Sequence, residues 1–161
     1  MKKRSGGCLC GAVRYELCSE PFDTGWCHCR TCQLFSGAPA MPFATVSTGD
    51  WVWTAGSDKV HRFRSSSFGH REFCSDCGAP LRVQVDHQPE TVDFPVVTLD
   101  EPDEVRPEFH IFFGSKVAWF DPGDDVPRHE KFRPDTRGLD STEPPDESSL
   151  AGGAVRGLSE A

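Results

Sequence analysis

Along this chain, apolar residues recur in short runs, many of them alternating with polar ones, which is the period-two signature of strands with one buried face. Residues 12–17, 42–46, 59–64, 81–85, 94–99 and 109–113 carry that pattern or are rich in β-branched and aromatic side chains, and Trp51-Val52-Trp53 is a seventh candidate. Turns are signalled by Thr48-Gly49-Asp50, Ala55-Gly56-Ser57 and Asp121-Pro122-Gly123. Thirteen prolines and fifteen glycines interrupt the chain so often that the longest stretch without either is 57–68, which excludes long helices. One short helix is expected over 30–35, stopped by Gly37. The pattern predicts an all-β domain of small sheets with little helix.

Composition changes the picture only at the end. From residue 133 to 161 there is no aromatic residue and no isoleucine, and prolines, glycines, serines and acids dominate. Such a segment buries too little apolar surface to offset its ordering entropy. The expectation is a domain over 1–132 followed by a disordered, acidic, proline-rich tail over 133–161. The net charge of -8 counts against nucleic-acid phosphates as a partner. No run reaches the apolar length of a membrane span. The basic start Met1-Lys2-Lys3-Arg4 is followed by Gly6, Gly7, Cys8 and Leu9 rather than an apolar segment, so a cytoplasmic location is expected.

That compartment decides how the eight cysteines are read, because closely spaced cysteines in a reducing cytosol bind metal or do redox chemistry more often than they form disulfides. Seven fall in three clusters: Cys8 and Cys10 in C-x-C-G, Cys27, Cys29 and Cys32 in C-x-C-x-x-C, and Cys74 and Cys77 in C-x-x-C-G. A C-x-x-C turn offers two thiolates and needs a partner pair for tetrahedral zinc. Cys8 and Cys10 are the natural partners for Cys74 and Cys77, giving a closed structural site. The middle cluster offers three thiolates, and three protein ligands with an exchangeable fourth mark a catalytic zinc. The alternatives are a redox pair, disfavoured because Gly78 and Pro80 follow Cys77 at once, and two purely structural zincs. His28 lies between Cys27 and Cys29, so in an extended chain it points away from them. Cys18 reads as a small buried hydrophobe.

These motifs resemble a known family. Gly7-Cys8-Leu9-Cys10-Gly11-Ala12-Val13-Arg14-Tyr15, Cys27-His28-Cys29-Arg30-Thr31-Cys32, Arg71-Glu72-Phe73-Cys74-Ser75-Asp76-Cys77-Gly78 and His110-Ile111-Phe112-Phe113-Gly114-Ser115-Lys116-Val117-Ala118-Trp119-Phe120 look like the glutathione-dependent formaldehyde-activating enzymes, whose domain also occurs in centromere protein V. The resemblance spans roughly residues 6–132. It implies a β-tent of small antiparallel sheets stapled by zinc, with Cys8, Cys10, Cys74 and Cys77 on a structural ion and Cys27, Cys29 and Cys32 on a labile, catalytic one. It implies a carbon–sulfur lyase-type reaction that joins the glutathione thiol to formaldehyde or a related small aldehyde. Glutathione carries two carboxylates, so Arg30, Arg62, Arg64, Arg71 and Lys116 become candidate contacts, each weighed against an ordinary solvated charge. Trp119, His110 and the run 109–113 read as core. The alternative function is a non-catalytic zinc module for protein or nucleic-acid interaction, and the incomplete ligand set of the middle cluster favours chemistry over it.

Overall fold

The computed structural model describes residues 3–134 of the chain. The tail expected over 133–161 therefore lies outside the described residues except for its first two. Ten strands form two sheets. The smaller sheet contains β1 (Arg4–Gly7), β2 (Arg14–Leu17) and β5 (Trp51–Ala55), antiparallel in the order β1-β2-β5. The larger contains β3 (Phe22–Cys27), β4 (Met41–Ser47), β6 (Val60–Ser66), β7 (Gly69–Cys74), β8 (Pro80–Val85), β9 (Thr91–Pro95) and β10 (His110–Ile111). Its order is β10-β3-β4-β9-β8-β7-β6, and only the β10–β3 pair is parallel. No helix among the described residues is long and apolar enough to cross a membrane.

The all-β expectation is met, with one helix, α1 (Arg30–Ser36). Gly37 ends it at φ 67°, as the sequence indicates, its N–H donating to the Gln33 carbonyl. The sheets are less even than expected, since seven strands share one of them. Two expected strands are shorter or displaced. Residues 96–98 form a 3-10 turn, and the strand runs over 91–95 instead. Only His110 and Ile111 of the run 109–113 pair, because Phe112 takes a left-handed φ of 53° and turns the chain away.

Side-chain alternation sorts the larger sheet into two faces. Phe63 pairs with Arg71, Arg71 with Val83, Val83 with Asp93 and Asp93 with Thr45. Directly opposed residues share a face, so this row lies on one side, together with Phe43 and Met41 two and four positions along β4. Cys27 opposes Met41 and joins them. The other face carries Ala44, Val46, Val92 and Phe94, which pack on Tyr15, Leu17 and Trp51 of the smaller sheet. Tyr15 stacks on Trp51 at 4.0 Å between ring centroids, and its hydroxyl bonds the Thr98 hydroxyl at 2.7 Å. Each such buried aromatic stabilises the fold by about 1.5–3 kcal/mol. The smaller sheet thus roofs one face and leaves the Cys27 face to α1 and the loops after β10. Gly25 in β3 permits that second cover, since a Cβ there would lie 2.5 Å from the Phe109 ring.

Candidate functional site

Two cysteine groups converge, on opposite faces of the larger sheet. Cys8 and Cys10 stand in the turn from β1 to β2, and Cys74 and Cys77 at the turn from β7 to β8. Their four sulfurs lie within 4.8 Å of one another. Cys8 and Cys10 sulfurs are 3.5 Å apart and those of Cys10 and Cys74 3.9 Å. Zinc–sulfur bonds of about 2.3 Å at tetrahedral angles require sulfurs roughly 3.8 Å apart, so the donor set fits that ion. The Val13 N–H donates to the Cys8 sulfur at 3.2 Å. Gly11 and Gly78 follow the second cysteine of each pair at φ 78° and 73°, a conformation that lets the chain turn back and that side chains with a Cβ disfavour. The Ala79 N–H holds the Cys77 thiol down to about 6, in the thiolate form a metal needs.

Cys27, Cys29 and Cys32 form the second group, all buried, with sulfurs likewise within 4.8 Å of one another. Cys27 ends β3. Cys29 is the N-cap of α1, its sulfur accepting the Cys32 N–H at 3.4 Å. The helix turn thereby brings Cys32 back over Cys29. Among the described residues the group has three ligands. His28 is not one of them, in line with its place between two cysteines of an extended segment.

Arg71 is the buried cation of this group. One of its terminal nitrogens donates to the Cys32 sulfur at 3.3 Å and the other to the Ser65 hydroxyl at 2.7 Å. Its side chain passes over the Phe35 ring at 5.5 Å. Neighbouring Cys27 and Cys29, then Arg71, hold the Cys32 thiol well below its ordinary range. Zinc with three thiolates carries one net negative charge, and a buried charge persists only when paired. Arg71 would supply that pairing were zinc bound here.

The five cations expected to meet glutathione's carboxylates are not gathered. Arg62 and Arg64 flank Phe63 on β6, so alternation turns both to the face away from Cys27. There Arg62 bonds Gln84 and approaches Glu72, and Arg64 pairs with Asp86. Arg30 is exposed and bonds Gln33 of its own helix at 3.3 Å, while Lys116 donates to the Phe120 carbonyl at 3.2 Å. Of these five, Arg71 bonds a sulfur of the cysteine group. Two readings of single residues are corrected. Cys18 is exposed rather than buried, and Trp119 is 77% exposed, each lying outside the strands that build the core.

Other polar groups on this side were not legible as a set. His110 is buried, as expected of a core histidine, and its Nδ1 lies 2.8 Å from His28 Nε2 while its Nε2 lies 3.0 Å from Asp124. With Asp124 accepting from His110 Nε2–H, His110 Nδ1 accepts from His28 Nε2–H, which leaves His28 Nδ1 as a buried lone pair without a partner among the described residues. Burial, then the neighbouring His110, lowers the His28 pKa to about 4, so His28 stays neutral. Asp93 sits in the row with Arg71; burial raises its carboxyl to about 6 against the bond it accepts from Thr45 at 2.7 Å. Its sequence signal was a carboxylate inside the run Thr91-Val92-Asp93-Phe94-Pro95. Asp124 had none, because a loop brings it to His110.

Comparison with known proteins agrees with this arrangement. The family model described as glutathione-dependent formaldehyde-activating enzyme matches residues 3–115, which include both cysteine groups. A protein of Schizosaccharomyces pombe named an uncharacterized lyase is 32% identical over 81 residues, 50% of this chain and 57% of that protein. The chain thus spans little more than half the length of this curated relative. A crystal structure of a Rhodobacter sphaeroides protein shares the fold, with a TM-score of 0.52 at 21% identity, covering 77% of this chain and 98% of that one.

Proposed function

This chain belongs to the glutathione-dependent formaldehyde-activating enzyme family, and from that premise we propose that it is a zinc-dependent carbon–sulfur lyase that joins a thiol to a small aldehyde. Glutathione and formaldehyde are the pair the family description names. The lyase name of the yeast relative supports the same class. One observation carries the reading: three buried cysteine sulfurs, one of them bonded by a buried guanidinium, form a ligand set one short of the four that zinc takes. A reducing, cytoplasmic setting would keep such closely spaced thiols free for a metal.

Cys27, Cys29 and Cys32 would hold the catalytic ion, and Cys8, Cys10, Cys74 and Cys77 the structural one. Zinc at the three-cysteine group would supply Lewis acidity and a preference for the thiolate form of a substrate at neutral pH. The reaction itself is an addition. The sulfur forms a bond to the carbonyl carbon, the C=O π pair moves to oxygen, and the proton lost by sulfur ends on that oxygen. Arg71 steadies negative charge beside Cys32 throughout.

Cys29→Ser tests the proposal. Its zinc, read by metal analysis, should fall from two per chain to one, with the circular dichroism of the sheets retained. Formation of S-hydroxymethylglutathione above the spontaneous rate should vanish with that ion. Equal glutathione affinity of parent and C29S protein, by calorimetric titration, would instead favour a non-catalytic zinc module.

A further inference from the structure

A cavity of about 180 Å³ opens beside the three-cysteine group, between α1 and the β6–β7 hairpin. Its walls are Leu34 and Phe35 of α1, Phe63 of β6, Phe73 of β7, with Thr31 and Arg71 at the end nearest the cysteines. Thr31 immediately precedes Cys32, and Arg71 bonds the Cys32 sulfur at 3.3 Å, so the cavity and the cluster share a wall. Leu34 and Phe63 leave 44% and 56% of their surface in water. Large apolar side chains on both lips of one concavity beside a reactive cluster mark a ligand site rather than scattered surface.

The lining also constrains what fits. An anion with two carboxylates, such as glutathione, gains little from three phenylalanines and a leucine, and Arg62 and Arg64 are turned to the opposite face. Arg71 is the one charged side chain of the lining, and an electron-rich sulfur or oxygen at the cysteine end would lie beside its guanidinium. Size agrees, since a dry cavity of about 150 Å³ in another protein binds benzene.

We propose that this cavity is the substrate-recognition pocket of the three-cysteine site and takes a thiol bearing a single aromatic ring, the ring between Phe63, Phe73 and Leu34 and the sulfur beside Arg71. This rests on the lyase reading above, and names the thiol class this chain selects.

The test uses a probe that binds without reacting. Benzyl methyl sulfide has the ring and the sulfur but no thiol to add to an aldehyde. Titrated into the zinc-loaded full chain, it should bind the parent, and bind Phe63→Ser and Leu34→Ser at least tenfold more weakly. Both side chains are half in water, so zinc content and circular dichroism should be unchanged in either variant. With formaldehyde as the carbonyl, the ratio of kcat/KM for phenylmethanethiol to that for glutathione should fall about tenfold in F63S. No binding to the parent, or equal binding to parent and both variants, overturns the pocket. So does a parent dimer that dissociates in F63S, because a second copy would then fill the groove. Probe binding without turnover of either thiol keeps the pocket and defeats the lyase reading. Turnover of glutathione without probe binding does the reverse.

Discussion

Arg71 shows how much one side chain decides. It stands on β7 opposite Val83 and Phe63, and that register delivers a guanidinium to the Cys32 sulfur from a segment 39 positions away. Removing it leaves three thiolates and a dication with an unpaired buried charge. Arg71→Met should weaken zinc at this group by about 10–100-fold, the usual effect of losing a residue that supports metal ligands. Arg71→Lys should recover part, and competition with a chromogenic chelator reads both while the four-cysteine centre keeps its ion. Asp93 makes the second residue-scale prediction. Its pKa near 6 in the folded chain exceeds the value near 4 expected when unfolded. The folded state therefore holds this proton more tightly. The stability it contributes is full below about pH 4 and is lost as pH rises through about 6. Asp93→Asn should remove that slope, worth about 1–3 kcal/mol. The check is the difference in urea midpoints between parent and D93N at pH 5 and pH 7.5, in which the metal's own pH dependence cancels.

Elements explain why the three-cysteine group is local. Cys27 closes β3, Cys29 caps α1 and Cys32 lies one turn in, so a strand end and a helix start suffice to assemble it. What covers it is not local. β10 lies parallel to β3, and Phe109 packs over Gly25 with its ring 6.0 Å from that of Phe43. Gly25→Ala would place a methyl group 2.5 Å from the Phe109 ring, forcing that ring outward. Overpacking of this kind costs about 1–3 kcal/mol. Since Phe109 packs in the same cluster as the three cysteines, G25A should lower the urea midpoint and speed zinc release from that group, which stopped-flow transfer to a chelator would reveal. Unchanged release would mean that the aromatic cover does not shield the site.

At the scale of the molecule, the four-cysteine centre joins the two sheets. Cys8 and Cys10 follow a strand of the smaller and Cys74 and Cys77 stand at the end of a strand of the larger; Cys8 and Cys74 are buried with Val13 and Leu81, whereas Cys77 is half-buried and Cys10 exposed. Structural zinc in small peptides contributes roughly 10–16 kcal/mol, comparable to the whole net stability of a domain, about 5–15 kcal/mol. Cys74→Ser should therefore unfold or aggregate the protein, whereas Cys29→Ser leaves it folded. Zinc analysis with thermal melting separates the two, and a C74S protein that kept both ions and its parent melting temperature would refute the four-thiolate assignment. The folded contacts also extend just past the boundary expected at 132: Arg133 pairs with Asp23 and lies 4.4 Å over the Phe109 ring.

The sequence by itself determined the β class, the helix over 30–35 with its Gly37 stop, and the grouping of seven cysteines into a set of four and a set of three. These are properties of spacing: period-two alternation, a glycine after a capped turn, and two ligands on one tight loop are all fixed within a few residues. Strands β1, β3 and β7 escaped notice because their glycines and charged residues dilute the alternation, and sheet pairing rather than propensity holds them extended. Only the tertiary structure decided which cation meets the cysteines. Arg62, Arg64 and Arg71 read alike as charges, yet strand register sends the first two to one face and the third to Cys32. It also decided that His28, His110 and Asp124 form one hydrogen-bonded chain, and that Leu34, Phe35, Phe63 and Phe73 enclose a cavity beside the cysteines. Those relations reach across as many as 82 positions of sequence, and their distances exist only once both sheets have packed.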